Sequence, residues 1–303
     1  MTRQYGWVKD PPDPRDLYAK KVPLMRRVVN RFPDEFDLEP YTTPPDDQSI
    51  LGSCVAHGIV GAYELIDHMD DDRFEHLSRL FGYWIIRDDK TVDSGAYIRD
   101  GIKRVAKYGI CDESFWKYDP SRFAETPTQQ AFNDALKRAG ITYYRIPDDD
   151  RKNGIMSALY DKKRAVIFGF YVYDNFDDPA VATTGFMTMP TKEQIARGMR
   201  GGHCVIIIGW KYFGGKLYWK CRNSYSEKWG LNGCFWMPDE YIEDPEMSDD
   251  YWVITKIPVL SGEPFEPDLR GAKWYIPITT IWRVVRTGWE WLFGNKPQTK
   301  KED

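Results

Sequence analysis

One short segment, residues 48–58, constrains this chain more than any other. It reads Gln-Ser-Ile-Leu-Gly-Ser-Cys-Val-Ala-His-Gly and predicts a loop that ends in a helix whose first residue is Cys54. From Cys54 to Ile66, apolar residues recur at steps of three and four, which predicts one buried helical face. A glycine and a serine stand directly before the cysteine, where a turn and a helix cap are expected.

The thiol of Cys54 is a candidate nucleophile. At a helix N-terminus, unpaired backbone N–H groups and the positive end of the helix dipole favour the thiolate, the form that attacks. Gln48 lies six residues upstream, where its amide and the backbone N–H of Cys54 would together form a two-donor oxyanion hole. The alternative is that Cys54 is a small buried apolar side chain, the usual role of a free cysteine.

Composition restricts the remaining classes of function. The chain has 303 residues, of which 42% are hydrophobic and 29% charged, as in a folded globular protein. Its net charge of −4 gives no reason to expect a nucleic-acid-binding surface. Five cysteines without a Cys-x-x-Cys pair suggest neither a zinc cluster nor a disulfide framework, so we expect no metal and no cofactor. Because no signal peptide and no membrane-spanning run are visible, the expected location is the cytoplasm.

Residues 1–47 are rich in proline and charge and form the first predicted segment. We expect an N-terminal extended arm laid over the body, with Trp7 and Phe36 as its anchors. A removable pro-segment is the alternative interpretation.

The pattern changes from helical to β near residue 140, which predicts an α+β fold. Before that point we expect helices at residues 54–70, 77–86 and 96–107. After it we expect a short helix and a series of strands, at residues 155–160 and at 141–146, 165–173, 204–210, 216–222 and 233–237. A helical lobe over about 48–140 and an antiparallel β lobe over about 141–258 would meet in a cleft, and the long 174–202 linker is a candidate rim or lid.

A reactive cysteine needs a base, and His203 is the best placed of the four histidines. It opens an apolar strand after two glycines, whereas His57 would lie behind the thiol on its own helix and His68 and His76 flank an acidic run. Asn223 follows the next predicted strand, where its amide oxygen can accept the imidazole N–H. Nearby aromatic residues would shield that hydrogen bond from water, namely Tyr225 and Trp229.

Taken together, these residues resemble the papain family of cysteine peptidases. The arm, with Gly6-Trp7 and Asp13-x-Arg15-Asp16, resembles that of the family's bacterial and phage members. The resemblance covers roughly residues 45–258 and implies the papain-like two-lobed fold, with a helical left lobe, a β right lobe and the active site in the cleft between them. It implies the roles of oxyanion glutamine, nucleophile, general base and acid, and orienting asparagine for Gln48, Cys54, His203 and Asn223. Substrate would lie against Ser94, Gly95 and Gly202. The chain departs from the family pattern at Leu51, Val55 and Tyr225.

The expected function is therefore a cysteine endopeptidase that cleaves protein or peptide substrates through a thioester acyl-enzyme. Two alternatives remain open: a catalytically silent member that serves as a structural or binding protein, for example a virion component, and a transpeptidase or isopeptidase that uses the same acyl-enzyme.

The C-terminal extension, residues 259–303, contains one strong pattern. Apolar residues predict an amphipathic helix over about 278–293, with Pro277 near its start and Gly294 after its end. The simplest expectation is a helix docked on the body. Contact with a membrane surface or with an assembly such as a virion is the alternative.

Overall fold

The computed structural model describes residues 3–19 and 31–256. Every described residue belongs to one compact unit of the chain, Met1–Ser261. The predicted helix at 278–293, with nearly all of the C-terminal extension, lies outside the described residues. No helix within the described ranges is long and apolar enough to cross a membrane.

The helices lie mainly in the first half, as predicted. Helix α1 begins at Cys54, and its first fourteen residues are all buried. The described helices are α1 (Cys54–Asp71), α2 (Arg79–Ile86), α3 (Ile98–Tyr108), α4 (Gln129–Ala135), α5 (Arg151–Tyr160), α6 (Pro179–Thr184), α7 (Lys192–Ala196) and α8 (Asp239–Glu243). The shorter α4, α6 and α8 have no counterpart in the sequence prediction, because each is too short to show a helical period.

Six strands after residue 140, together with one short strand near the N-terminus, form a seven-stranded antiparallel sheet. The described strands are β1 (Trp7–Val8), β2 (Glu35–Asp37), β3 (Ala96–Tyr97), β4 (Thr142–Arg145), β5 (Val166–Val172), β6 (Gly201–Phe213), β7 (Lys216–Arg222), β8 (Cys234–Pro238) and β9 (Ser248–Thr255). The sheet order is β4-β9-β5-β6-β7-β8, with β2 paired to β6. A helical part followed by an antiparallel sheet confirms the predicted α+β, papain-like fold.

Two strands differ from the prediction for reasons that lie far away in the chain. Ala96 and Tyr97 were expected in a helix, but they form β3 because β1 of the N-terminal arm pairs with them in parallel. Strand β9 was not predicted, since its first residues are Ser-Asp-Asp, which locally favour a turn. These aspartates are held by Arg145 of the neighbouring strand β4, at 2.6 Å from Asp249 and 3.1 Å from Asp250.

Helix α1 packs directly on the central strand β6, and this contact positions its first residue against the sheet. Gly58 faces the sulfur of Cys204, and a Cβ on Gly58 would lie 3.0 Å from that atom. The same helix carries Glu64, whose carboxylate is completely buried and accepts bonds from the guanidinium of Arg79, the hydroxyl of Thr43 and the N–H of Leu77. A buried carboxylate needs this number of donors to offset its lost hydration.

Candidate active site

Cys54 occupies the first position of α1 and is fully buried. Burial raises the pKa of the thiol to about 11, although the N–H groups of Cys204, Gly6 and Val55 act in the opposite direction. The helix N-terminus therefore favours the thiolate as predicted, but burial outweighs it in this arrangement. The predicted hydroxyl cap is wrong: Ser53 is the N-cap residue, yet its hydroxyl lies 2.7 Å from the Tyr118 hydroxyl and makes no cap hydrogen bond.

His203 and Asn223 form the predicted pair. The Nε2 atom of His203 lies 2.8 Å from the Oδ1 atom of Asn223, which also accepts the N–H of Ser224 at 2.8 Å. Because a backbone N–H can only donate, the atom facing it is the amide oxygen, and His203 must therefore carry its proton on Nε2. The other ring nitrogen, Nδ1, is buried and has no hydrogen-bond partner among the described residues. Burial lowers the pKa of His203 to about 4, and the bond to Asn223 opposes this shift.

Aromatic side chains surround the imidazole. The ring of Tyr225 lies 5.2 Å from that of His203, and Trp229 packs edge-on against Tyr225 at 5.6 Å between ring centres. Trp229 thus forms an outer layer rather than touching the imidazole itself. The sequence reasoning missed Phe170 and Phe176, which also contact His203, at 5.6 and 5.7 Å. Phe170 is on a predicted strand, but Phe176 lies in the 174–202 linker, where no local pattern marks it.

Gln48 is completely buried and connects the two halves of the site. Its Nε2 donates to the carbonyl oxygens of Leu51 at 2.8 Å and of Gln4 at 3.0 Å. Its Oε1 accepts the hydroxyl of Ser224 at 2.5 Å, next to Asn223. The amide therefore joins the loop before Cys54 to the segment after β7.

The N-terminal arm runs between the helical part and the sheet, across this site. The carbonyl oxygen of Gly6 accepts the N–H of Ala96 at 2.8 Å. Two glycines that the sequence predicts to bind substrate lie against the arm: a Cβ on Gly95 would collide with the Gly6 carbonyl, and one on Gly202 with the backbone of Trp7. Ser94 lies in the same loop, with its hydroxyl 3.4 Å from the Gly95 carbonyl oxygen.

Trp7 is the buried anchor of this part of the arm. Its indole fills the space that a side chain at Gly169 would occupy, and its N–H donates to Asp250 at 3.1 Å. The same carboxylate accepts the backbone N–H of Asp10 at 2.7 Å. Burial raises the pKa of both the Asp10 and the Asp250 carboxyl groups, which lie close together. The sequence reasoning missed Asp250, since nothing in the local sequence links it to residue 7.

Two further residues of the arm, Tyr5 and Arg3, lie against His203 and its neighbour Tyr225. The Tyr5 ring lies edge-on to His203 at 5.7 Å. The Arg3 guanidinium lies 4.0 Å above the centre of the Tyr225 ring and forms an ion pair with Asp47 at 2.5 Å. The second predicted anchor of the arm, Phe36, packs far from the thiol against Tyr160 and Trp210.

The remaining histidines are placed as the sequence reasoning expected. His57 lies on α1 with Nδ1 3.0 Å from the carbonyl oxygen of Ser53. His68 bonds to the Tyr41 carbonyl oxygen, and His76 lies 3.1 Å from the Asp46 carboxylate near the surface.

Comparison with known proteins agrees with the geometry. The family model described as papain family cysteine protease matches residues 32–251. A peptidase C1-like protein of Acanthamoeba polyphaga mimivirus is 33% identical over 295 residues, which cover 88% of this chain and 92% of that protein.

Solved structures show the same similarity. Xylellain, a cysteine protease from Xylella fastidiosa, superposes with a TM-score of 0.72 at 30% identity, over 85% of this chain and 99% of that one. Digestive procathepsin L2 proteinase of Tenebrio molitor, at 20% identity, shares the fold with a TM-score of 0.60 over 81% of this chain and 76% of that one. Because the family model matches more than two thirds of this chain and a relative is 33% identical over most of both proteins, the chain belongs to the papain family of cysteine proteases.

Proposed function

We propose that this cysteine protease is an endopeptidase and that Cys54 and His203 carry the reaction. The sulfur of Cys54 attacks the carbonyl carbon of a peptide bond as the thiolate, with His203 as imidazolium. When the C–N bond breaks, His203 gives its proton from Nδ1 to the leaving amine, and a thioester remains. Water then adds to the thioester while His203 takes its proton, and the thiol leaves as the carboxylate product is released.

Asn223 and Gln48 have supporting roles in this proposal. Asn223 accepts the Nε2–H of His203, which holds the ring with Nδ1 free and stabilises the imidazolium. Gln48 Nε2 and the backbone N–H of Cys54 stabilise the oxyanion. Tyr225 shields the hydrogen bond between His203 and Asn223, with Trp229 behind it.

The observation that carries the proposal is that the N-terminal arm of this chain occupies the site. A stretch of polypeptide already lies there, with the Gln4 carbonyl oxygen 3.0 Å from the Gln48 amide nitrogen and Gly6 packed against Gly52, two residues before Cys54. A cleft that accepts an extended main chain in this way suits peptide substrates. Ser94, Gly95 and Gly202 would then contact substrate where they now contact or flank the arm.

The same observation supports a second element of the proposal: residues 3–10 keep the protease latent. While the arm is in place, the thiol is fully buried and a substrate cannot reach it. Residues 1–47 would thus act as a pro-segment to the peptidase body at 48–258, and activity requires that the arm be displaced or cleaved.

Peptide-library profiling tests this function. Because the docked arm blocks the thiol, the test uses a Trp7→Ala protein, whose arm has lost its buried anchor. This protein and its Cys54→Ala variant are incubated with a library of unstructured peptides, and the products are identified by mass spectrometry. Cuts at internal bonds that vanish in the variant support an endopeptidase. Trimming only from peptide ends would contradict it, and transfer of the acyl group to an added amine instead of water would assign a transpeptidase.

A further inference from the structure

A small polar cavity lies beside Asn223, between helix α1 and the strands β6 and β7. Its volume is about 10 Å³, which is room for one water molecule. The residues that line it include His57, Arg79, Arg222 and Asn223. All four side chains are buried, so the polar atoms that face the cavity have lost their bulk hydration.

Four of the lining residues carry a buried side-chain nitrogen with no hydrogen-bond partner among the described residues. One of them, Nε of Arg79, still lies 2.8 Å from the Asp46 carboxylate as an ion pair, whereas the other three have no such partner there. These three atoms are Nε2 of His57, Nε of Arg222 and Nδ2 of Asn223. Buried polar atoms are nearly always paired with protein or with ordered water, so three of them around one cavity point to a bound molecule.

The chemistry of the three atoms identifies that molecule. His57 Nδ1 donates to the Ser53 carbonyl oxygen, and burial, with the nearby Arg79 charge, lowers the pKa of His57 to about 4. The ring is therefore neutral at pH 7, and its Nε2 is an acceptor. Arg222 Nε and Asn223 Nδ2 are donors. A water molecule can accept hydrogen bonds from the two donors and donate one to His57 Nε2. An anion such as chloride has no hydrogen to donate and would be repelled by the lone pair of His57 Nε2.

We propose that Arg222 and His57 hold one water molecule beside Asn223 and are positioning residues for His203. The amide oxygen of Asn223 is held by His203 and Ser224, at 2.8 Å each, while its nitrogen end is otherwise unrestrained. A water that accepts from Nδ2 anchors this second end, so the amide cannot rotate away from the imidazole. This inference depends on the roles proposed above for Asn223 and His203.

Arg222 suits this position because one of its terminal nitrogens, Nη2, is already fixed. Its NH2 group donates to the Pro44 carbonyl oxygen at 2.9 Å and to the Thr43 hydroxyl at 3.2 Å. The guanidinium therefore cannot turn to bond Asn223 directly without losing these partners, and a water bridges the remaining gap.

A crystal structure of the full chain at about 1.5 Å resolution tests the water directly. We expect a density peak within about 3.2 Å of His57 Nε2, Arg222 Nε and Asn223 Nδ2. An empty cavity overturns the inference, and so does a peak with the anomalous signal of chloride.

Kinetics test the positioning role, in a Trp7→Ala background so that the arm does not limit access. Arg222→Met removes the donor, and Arg222→Lys retains a positive donor in its place. The matched control is Arg151→Met, since Arg151 is also a buried arginine bonded to a backbone carbonyl, that of Ile242, but lies away from the site.

We expect Arg222→Met to lower kcat about tenfold with KM nearly unchanged, Arg222→Lys to recover most of the loss, and Arg151→Met to leave kcat unaffected. Equal kcat values for Arg222→Met and Arg151→Met would overturn the positioning role. If Arg222→Met fails to fold, the presence or absence of the density peak in the crystal structure decides the inference. A Trp7→Ala protein without peptidase activity would remove the proposed function but not the water. An active chain without the water removes only this inference.

Discussion

The Nε2 atom of Gln48 lies 3.0 Å from the carbonyl oxygen of Gln4, so the chain places its own main chain on the residue proposed to stabilise the oxyanion. The contact joins two residues 44 positions apart and is supported by the burial of Trp7. While this contact is in place, the Cys54 thiol is buried, and burial raises its pKa so that the thiol stays protonated. In the proposed account, this is how the arm keeps the protease inactive.

Replacing the anchor of the arm should activate the protein. Trp7→Ala removes a buried indole and its bond to Asp250, which weakens arm docking by roughly 3–5 kcal/mol. We expect peptide hydrolysis to rise by at least about tenfold, because the arm-free population grows by a factor of ten per 1.4 kcal/mol. Val8→Ala is the control, since Val8 belongs to the same strand but is 40% exposed. Equal activation by both substitutions would show that Trp7 does not hold the arm.

The amide of Gln48 should matter for turnover rather than for binding. In the Trp7→Ala background, Gln48→Ala is expected to lower kcat by about 10²–10³, with little change in KM, as for the loss of one oxyanion donor. Gln129→Ala, at an exposed glutamine on α4, provides the comparison. A rise in KM with kcat intact would assign Gln48 to substrate binding instead.

The carboxyl pair of Asp10 and Asp250 should make stability depend on pH. Burial raises both pKa values above the ordinary range for aspartate, so the folded state binds protons more tightly than the unfolded chain. Their stabilising contribution is complete below about pH 4 and is lost as pH rises through the raised values toward neutrality.

Denaturant unfolding of the Cys54→Ala protein and of Cys54→Ala with Asp250→Asn isolates this effect. Between about pH 5 and 8, the free energy of unfolding should fall more steeply in the protein that keeps Asp250. Parallel curves would exclude the pair as the source, because all other titrating groups are common to both proteins.

The buried ion pair between Glu64 and Arg79 should be essential for folding stability. Glu64→Gln keeps the shape of the side chain but leaves the Arg79 guanidinium with Asp46 alone as a charged partner at 2.8 Å. We expect a loss of about 3–5 kcal/mol in the free energy of unfolding. Glu125→Gln, which affects an exposed pair with Arg122, should change stability by less than about 0.5 kcal/mol. Similar losses for both would contradict the importance of burial.

The sequence was sufficient to predict those parts of the site that lie beside a clear local pattern. Cys54 precedes a strongly periodic helix, His203 opens an apolar strand, and Asn223 follows the next one, so each element was found with its residue. The fold class followed from the change from helical to strand periodicity of the apolar residues, and strand β7 was predicted with its observed ends.

Contacts between distant segments could not be predicted in this way. The pairing of Trp7 with Ala96, the placement of Asp250 beneath the indole and the packing of Phe176 on His203 leave no local trace in the sequence. The position of Cys54 at a helix N-terminus predicts a lowered thiol pKa. The burial that raises this pKa comes from residues outside the helix, so the local sequence does not reveal it. The shape of the arm was anticipated, but not that it passes over the thiol.

Peptide hydrolysis by the Trp7→Ala protein, with and without Cys54→Ala, tests the central claim most directly. Cleavage of an unstructured protein is followed by mass spectrometry, alongside iodoacetamide labelling of the five cysteines, all of which are buried in the arm-bound state. The account predicts that Trp7→Ala cleaves internal peptide bonds, that Cys54 alone gains reactivity toward iodoacetamide, and that Cys54→Ala abolishes cleavage without unfolding the chain. Cleavage that persists at a similar rate in the double variant would contradict it.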